Sequence, residues 1–374
     1  MPVTLADVAQ ATGLSASTVS RALSDPDKVN VHTRERVRRA ARELGYVPNQ
    51  TARSLISGHH DVLGLIVPDI ANPFFPPIIK AIQARAGLKG KTVIITDVDE
   101  HPGDEVERAQ ILRKRVDGLI MVSPRTGDER LAELARLKPI VFVNRRVEGA
   151  ANVLVDNADG MIEAVEHLAA LGHRKLAYLN GPRRSWSNAQ RRKAVVAACL
   201  AQDIELVEYG PFEPQVQAGV RAADLVHAGD VTAVIAYDDL IALGLMTRLA
   251  ERGVRVGQDL SVIGIDDSPM SGMAYPTLTS IHVPGTEAGM AAVDLLLDMI
   301  ANPTDEEPPG RPARNPPGGP RLHHPSPHLL TTDVPRRPGA ALGGEVSRRS
   351  CHVTHAGRGE KPRGCSSRPF GRVT

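Results

Sequence analysis

The segment TGLSASTVSRAL, residues 12–23, places five hydroxyl side chains and one arginine among apolar residues that have helical spacing. Serine and threonine gain little inside a helix, because they compete for its backbone hydrogen bonds, but they cap the free N–H groups of a first turn. A helix start with hydroxyls, free N–H groups and a positive dipole end can bind phosphate. Arg21 can also donate two hydrogen bonds to a guanine edge. The segment is compatible with nucleic-acid binding, although ordinary capped helical hairpins show the same pattern.

Three short helices must position these side chains. Thr4 can cap the first helix, and Gly13 supplies the left-handed residue that ends it. Ser15 can cap the second helix, and a third is predicted from about residue 33 to 44, where Gly45 ends it. The apolar positions repeat with helical spacing, so they share one inward side. The predicted inward residues of the second and third helices are Val19, Ala22, Leu23, Val37, Ala40, Ala41 and Leu44.

The sequence YVPNQTARSLISG follows the third helix. Pro48 breaks the chain, Asn49 can cap a single helical turn, and Leu55 has no core of its own. A short apolar helix outside a domain requires a partner surface. We therefore predict an all-α helix-turn-helix domain over residues 1–48 and a hinge helix and linker over residues 49–60.

From residue 61, apolar runs of four to seven residues alternate with helical segments. This alternation predicts an α/β body with doubly wound parallel sheets. Ligands of such sheets bind beyond the carboxyl ends of the strands, so the polar residues just after each run are candidates for a site. Each of these residues can instead cap a helix or lie in a loop. The runs are VLGLIVP, TVIITDV, DGLIMVS, PIVFVN, KLAYLNG, TAVIAYDD and SVIGIDD, and the polar residues are Asp69, Ser123, Asn144, Asp238 and Asp266.

Composition excludes several classes of protein. No run approaches the roughly 18 uncharged apolar residues of a membrane helix, and the start MPVTLADVAQ lacks the regions of a signal peptide, so we expect a cytoplasmic protein. The three cysteines form no CxxC pair, so we expect neither a disulfide framework nor structural zinc. No nucleophile elbow, Walker loop or GxGxxG motif is present, so we expect no enzyme and no cofactor. We interpret His59-His60-Asp61 as solvated linker rather than as a metal site.

The charge is distributed unevenly along the chain. Residues 1–60 hold 8 Lys+Arg against 5 Asp+Glu, and residues 303–374 hold 12 against 6. The rest carries 25 against 32, so an acidic body lies between two basic ends. A basic head on an acidic body suits a protein that places one small module against a polyanion, although chance asymmetry is the alternative.

The stretch VTLADVAQATGLSASTVSRAL, with VHTRERVRRAARELGYVPNQTARSL after it, resembles the DNA-binding head and hinge of the LacI-type family of bacterial transcription regulators over residues 3–57. The resemblance implies a homodimer on a near-palindromic DNA operator, with the second helix in the major groove and paired hinge leucines in the minor groove. It assigns base contacts to Ala16, Ser17, Arg21 and Leu55, and phosphate contacts to Thr4, Ser15, Thr18, Ser20, Thr33, Tyr46 and Asn49.

The segments PDIANPFF, VDNADG, HLAALGHRKLAYLNGP, DDLIALGLM and LSVIGIDD resemble the core of the same family, which is akin to periplasmic sugar-binding proteins. The resemblance implies two lobes within residues 61–302, the first made of about 61–155 with 285–302 and the second of about 156–284. It also implies a small polar effector, a carbohydrate, between the lobes, with Phe74 or Trp186 as a stacking face. The effector residues implied are Asp69, Phe74, Asn144, Arg191, Asp238 and Asp266.

One position departs from the family pattern, since many members have Asn-Asp where this chain has Asp238-Asp239. A carboxylate there replaces an amide that both donates and accepts, which puts in doubt any effector that needs a donor at this position. The alternative function is a sugar-binding protein without a regulatory role, and a secreted one would need a signal peptide where the head lies.

Hydrophobic periodicity stops in the segment EEPPGRPARNPPGGPRLHHPSPHLL. Residues 303–374 hold 13 of the 29 prolines, which predicts a disordered basic tail that adds nonspecific DNA affinity. A second hypothesis is a frameshift near residues 308–314. In the shifted frame, the codons of Asn315–His324 permit TRLVVR(A/G)STT, which resembles the closing strand segment of the family, and Leu330-Thr331 permits a stop. That alternative predicts a destabilised, binding-defective regulator.

Overall fold

A computed structural model describes the chain in four stretches, residues 3–24, 28–46, 60–137 and 139–302. The predicted hinge residues Asn49 and Leu55 and the predicted tail over residues 303–374 lie outside these stretches. Among the described residues, no helix is long and apolar enough to cross a membrane.

Three helices form the head, which we define as the described residues from 3 to 46. Thr4 caps the first helix, where its hydroxyl accepts the Asp7 N–H and the Asp7 carboxylate accepts the Thr4 N–H. Gly13 and Gly45 end the first and third helices with φ of 60° and 68°, which glycine adopts without steric cost. These contacts confirm the predicted cap and both predicted ends. The helices are α1 (Leu5–Thr12), α2 (Ala16–Ser24) and α3 (Val31–Leu44).

The core of the head differs from the prediction at the two ends of α3. The helix begins at Val31 rather than near residue 33, because the Asn30 side chain caps it by accepting the His32 N–H. Leu44 is 39% exposed, so its predicted inward position is wrong. Tyr46 packs on the core instead, since its N–H returns to the Ala41 carbonyl at 2.8 Å. The buried core consists of Val8, Val19, Ala22, Val37 and Ala41.

Five parallel strands form the first sheet, in the order β2-β1-β3-β4-β5. The middle strands β1, β3 and β4 are buried on both faces, as helices covering both sides of a parallel sheet require. The strands are β1 (Val62–Val67), β2 (Thr92–Asp97), β3 (Gly118–Val122), β4 (Ile140–Val143) and β5 (Ala151–Val153). The helices between them are α4 (Phe75–Leu88), α5 (Pro102–Leu112) and α6 (Asp128–Ala135).

A second sheet of five parallel strands follows, in the order β10-β9-β8-β6-β7. After β10, α12 (Gly285–Ala301) returns to pack on α4 and on strands β3 to β5 of the first sheet. The strands are β6 (Lys175–Leu179), β7 (Glu205–Tyr209), β8 (Ala233–Ala236), β9 (Ser261–Asp266) and β10 (Thr279–His282). The other helices are α7 (Ala158–Ala170), α8 (Trp186–Ala201), α9 (Val216–Ala228), α10 (Asp239–Glu251) and α11 (Pro269–Met273).

The structure confirms the predicted fold class in the described residues, with a helix-turn-helix head and two doubly wound parallel sheets. The seven apolar runs form β1, β2, β3, β4, β6, β8 and β9, whereas β5, β7 and β10 were not predicted. We call the body around the first sheet, with α12, the first lobe, and the body around the second sheet the second lobe.

Helices α9 and α10 of the second lobe approach each other unusually closely. A Cβ on Gly219 of α9 would overlap the Ile241 carbonyl oxygen, and a Cβ on Gly244 of α10 would overlap the Val216 carbonyl oxygen. Backbone therefore packs directly on backbone, and only glycine fits at these two positions. This contact fixes the position of α10, whose N-terminus contributes to the site.

Candidate functional site

A cavity is lined by residues that follow strands of both sheets. Ser123 and Asn144 follow β3 and β4 of the first sheet, and Asp238 and Asp266 lie at the ends of β8 and β9 of the second. The carboxyl ends of parallel strands are where such folds bind ligands. The lining residues are Asn72, Phe74, Phe75, Ser123, Arg125, Asn144, Ser187, Arg191, Pro214, Tyr237, Asp238 and Asp266.

Arg191 lies on α8 at the centre of the second-lobe wall and is 3% exposed. Its Nη1 donates to the Tyr237 carbonyl at 2.6 Å, and its Nη2 lies 3.5 Å from Asp266 Oδ1. With its amide oxygen turned toward the guanidinium, Asn157 accepts from Nε and Nη2 at 3.1 Å each. The guanidinium also lies 5.0 Å from the centre of the Tyr237 ring. These contacts hold Arg191 rigidly between the end of β8 and the end of β9.

Asp238 caps α10 at the edge of the cavity and is 1% exposed. Its Oδ1 accepts the Ile241 N–H at 2.8 Å, while its buried Oδ2 has no hydrogen-bond partner among the described residues. Burial raises the pKa of Asp238 to about 7, an effect opposed by the Ile241 N–H and strengthened by the charge of Asp239. Burial likewise raises the pKa of Asp266 well above its ordinary value, although Arg191 opposes this shift.

Asp239 supports this corner without lining the cavity. It accepts the Ser280 hydroxyl at 2.6 Å and the Ser268 N–H at 2.8 Å, which ties the start of α10 to β10 and to the segment after β9. Asp238 and Asp239 are adjacent, but their roles differ. Asp238 caps α10 and lines the cavity, whereas Asp239 binds Ser268 and Ser280 away from the cavity.

The first-lobe wall contains a second buried arginine. Arg125 is 4% exposed, and its Nε and Nη2 donate to the Glu100 carboxylate at 3.1 and 3.2 Å. Its Nη1 donates to the Ser123 carbonyl at 3.1 Å. On the same wall, Asn144 Nδ2 donates to Ser123 Oγ at 3.0 Å, and the buried Asn144 Oδ1 has no partner among the described residues.

The structure brings together five of the six residues assigned to an effector, namely Phe74, Asn144, Arg191, Asp238 and Asp266. Asp69 is not among the lining residues, because it follows β1 in a tight turn where its Oδ1 accepts the Ala71 N–H at 2.8 Å. Trp186 begins α8 and does not line the cavity, so Phe74 is the aromatic face of the two.

The sequence did not predict Arg125, Tyr237 or Asn157 as site residues. Tyr237 directly follows β8, so the rule that residues after a strand line the site could have identified it. Arg125 comes two residues after Ser123, and no local pattern marks it as buried.

On the head, the start of α2 carries a cluster of three hydroxyls. Ser15 Oγ accepts the Thr18 N–H at 3.2 Å and lies 2.9 Å from Ser17 Oγ and 2.8 Å from Thr18 Oγ1. The capping role predicted for Ser15 is confirmed. Ala16, Ser17 and Arg21 are exposed on the same helix.

The remaining assigned head residues are spread over the three helices. Thr4 is exposed at the start of α1, Thr33 is half-buried in the first turn of α3, and Ser20 is half-buried on α2. Tyr46 is half-buried after α3, where its ring packs on the core. Asn49 and Leu55 lie outside the described residues.

Comparisons with known proteins match two parts of the chain to described families. Residues 4–49 match the family described as bacterial regulatory proteins, lacI family, and residues 165–320 match the periplasmic binding protein-like domain. Over 307 residues the chain is 33% identical to the HTH-type transcriptional repressor CytR of Escherichia coli (strain K12), which covers 79% of this chain and 89% of that protein. The chain belongs to the LacI family of bacterial regulatory proteins.

Solved structures of the LacI family show the same fold. The lac repressor dimer bound to operator and the anti-inducer ONPF has a TM-score of 0.73 at 30% identity, covering 80% of this chain and 93% of that chain. A complex of the transcriptional regulator CelR with cellobiose has a TM-score of 0.58 at 31% identity, covering 81% and 95%. The resemblance seen in the sequence is thus confirmed, and these relatives are transcription regulators rather than enzymes.

Proposed function

We propose that this protein is a sequence-specific transcriptional repressor of the cytoplasm whose affinity for operator DNA is controlled by a small sugar-like effector. The observation that carries the proposal is the presence, in one LacI-family chain, of a hydroxyl-capped helix-turn-helix head and a cavity lined by buried polar side chains from two lobes. The lac repressor and CelR structures support it, because one relative is bound to operator and the other to cellobiose.

The head supports DNA binding through its charge and its capped helix. The Ser15, Ser17 and Thr18 hydroxyls surround the N-terminus of α2, where the helix dipole favours a phosphate. Arg21 is exposed on that helix and has the fork geometry that recognises guanine. Ala16 and Ser17 are short, so Arg21 and the hinge residue Leu55 carry most of the proposed sequence preference.

The cavity supports binding of a polyhydroxylated ligand. Buried carboxylates and amides accept hydrogen bonds from vicinal hydroxyls, and the Phe74 ring offers an apolar face to the sugar ring. In this proposal the effector contacts are Phe74, Asn144, Arg191, Asp238 and Asp266, with Asp69 as a loop residue near the end of β1.

A short chain of contacts connects the first lobe to the segment that leads to the head. Asp117 accepts the N–H groups of His60 and Asp61 at 2.6 and 3.0 Å, and Lys91 pairs with Asp61 at 2.8 Å. Movement of the first lobe on effector binding would therefore displace residues 60–61 and, in a dimer, change the spacing of the two heads.

The proposal is tested by selecting DNA from a randomised duplex library with the purified protein and then measuring affinity by fluorescence anisotropy. We expect a near-palindromic site bound by a dimer, with affinity that changes when a neutral sugar is added. Selection that yields no common sequence, or a selected site bound by a monomer, would contradict the proposal.

Arg21 provides a matched pair of variants. Arg21→Ala should lose about 1–3 kcal/mol at one base pair, and Arg21→Lys should lose the same preference while retaining more nonspecific affinity, because lysine keeps the charge without the bidentate fork. Leu55→Ala should reduce the bending of the selected site. Unchanged base preference in both Arg21 variants would contradict the assignment of α2 to the major groove.

A further inference from the structure

Asp238 lines the cavity and caps α10 at the same time. Capping α10 requires an acceptor for the Ile241 N–H, and Oδ1 fills that role at 2.8 Å. The second carboxylate oxygen, Oδ2, is buried without a partner among the described residues, in a side chain that lines the cavity. An asparagine in the same cap would use its oxygen for the helix and turn an NH₂ group to the other side. The residue at position 238 therefore decides whether this point of the cavity accepts or donates a hydrogen bond.

The neighbouring cations do not satisfy this acceptor. The nitrogens of the Arg191 guanidinium all donate to protein groups, namely Tyr237, Asp266 and Asn157. The nitrogens of the Arg125 guanidinium donate to Glu100 and Ser123. The second unpartnered polar atom of the lining, Asn144 Oδ1, is also an acceptor. Both buried acceptors lack a donor among the described residues, which calls for a ligand that supplies the donors.

The charge of the cavity wall points the same way. Arg191 lies 3.5 Å from Asp266 and makes no hydrogen bond to Asp238, and on the opposite wall Arg125 is paired with Glu100. The N-terminus of α10 would otherwise attract an anion, but the Asp238 carboxylate already occupies that position. Above pH 7, where Asp238 is ionised, a ligand anion placed there would meet a buried negative charge in a medium of low polarity, which is unfavourable.

On these grounds, and resting on the proposed function, we infer that Asp238 makes the cavity selective for effectors that place a hydroxyl or a protonated amine at the N-terminus of α10. Sugars that place a carboxylate or a phosphate at that point are rejected. The selected class is thus neutral sugars and amino sugars rather than sugar acids or sugar phosphates.

The experiment is isothermal titration calorimetry of the full chain, buffered above pH 7, with a panel of named sugars. Neutral probes are D-ribose, D-glucose, D-galactose and cellobiose, amino probes are D-glucosamine and D-galactosamine, and acidic probes are D-glucuronate and D-galacturonate. We expect a neutral or amino sugar to bind the wild type and the acidic counterpart of that sugar to bind about a hundredfold more weakly.

Asp238→Asn is the test variant, because it keeps the cap oxygen and the shape of the side chain while replacing the acceptor with a donor. The affinity of this variant for the sugar that binds the wild type should fall by about tenfold to a hundredfold, the range for losing a hydrogen bond to a charged group. The difference in affinity between that sugar and its acid should become smaller. Asp104→Asn, at an exposed position in the first turn of α5, is the matched control and should change neither value. Melting curves establish that both variants are folded.

The outcomes separate this inference from the proposed function. A sugar acid that binds the wild type as tightly as its neutral counterpart, or sugar binding that Asp238→Asn leaves unchanged, overturns the inference alone. Sugar binding that leaves operator affinity unchanged in a parallel gel shift overturns the proposed regulation alone. If no neutral or amino sugar of the panel binds, the inferred ligand class and the sugar effector are both overturned.

Discussion

Replacing Gly219 with alanine should destabilise the second lobe and also displace the candidate site. The added methyl would overlap the Ile241 carbonyl oxygen and lie 2.7 Å from the Leu245 backbone nitrogen. Overpacking commonly costs about 1–3 kcal/mol when side chains can adjust. Here the obstacle is the backbone of α10, which no side-chain rotation relieves, so we expect the upper end, about 3 kcal/mol. At about 2–4 °C per kcal/mol for a body of this size, the melting temperature should fall by about 6–12 °C.

The functional consequence follows from the position of Asp238. Helix α10 must move away from α9 to admit the methyl, and Asp238 caps the end of α10 at the cavity. Sugar affinity should therefore fall along with the melting temperature. Gly244→Ala meets the Val216 carbonyl oxygen and should behave alike.

Gly87→Ala is the matched control for this prediction. Gly87 lies in α4, and a Cβ there would meet nothing within 4 Å, so this variant should gain about 0.5–1 kcal/mol from helix propensity. The two substitutions are chemically identical, and only the packing differs. A Gly219→Ala protein that melts at or above the wild-type temperature and binds sugar normally would refute the reasoning about backbone contact.

Three further predictions concern other parts of the chain. Asp117→Asn should weaken operator binding without changing sugar affinity, because it removes one of the carboxylate oxygens that hold the N–H groups of residues 60 and 61; calorimetry and anisotropy on the same sample check this. Burial raises the pKa of Asp238 from 3.8 to about 7, so the native state holds a proton that the unfolded state lacks between these values. The stability this contributes is complete below pH 3.8 and is lost as the pH rises through 7, so the melting temperature should fall over that range more steeply in the wild type than in Asp238→Asn. Resequencing the gene should show codons for residues 315–324 that spell TRLVVR(A/G)STT after loss of one base, and codons that cannot do so end the frameshift hypothesis.

The sequence predicted the strands that are buried on both faces and the edge strand β2, whose run TVIITD is apolar in its middle, but it missed the other three edge strands. β5, β7 and β10 are each the outermost strand of a sheet, and none is a continuous apolar run. β7 reads ELVEY, with two glutamates, because an edge strand has one side toward solvent. The prediction depends on an apolar run, so β2 was found although it is only partly buried, whereas edge strands without such a run give little signal.

The same limit applies to the candidate site. The rule that polar residues follow strands found Asn144, Asp238 and Asp266, which the backbone itself carries to the cavity. It did not find Arg125, because the bond to Glu100 that orients this side chain joins residues distant in sequence. It selected Asp69, whose carboxylate is used by the local turn instead.

Three of the residues at the cavity hold backbone conformations with positive φ, which residues other than glycine seldom adopt. Ser123, Asn144 and Asp266 have φ of 47°, 54° and 117°. Left-handed geometry costs roughly 1 kcal/mol or more per residue. Ser123 N–H still donates to the Val143 carbonyl, and Asn144 N–H to the Val153 carbonyl, so the ladder of the first sheet continues through the turn. The sheet thereby fixes the backbone of Ser123 and Asn144, so a ligand of the cavity would meet polar side chains that are already ordered. Because little conformational freedom remains to be lost at these positions on binding, the order already present in the folded chain lowers the entropic cost of recognition.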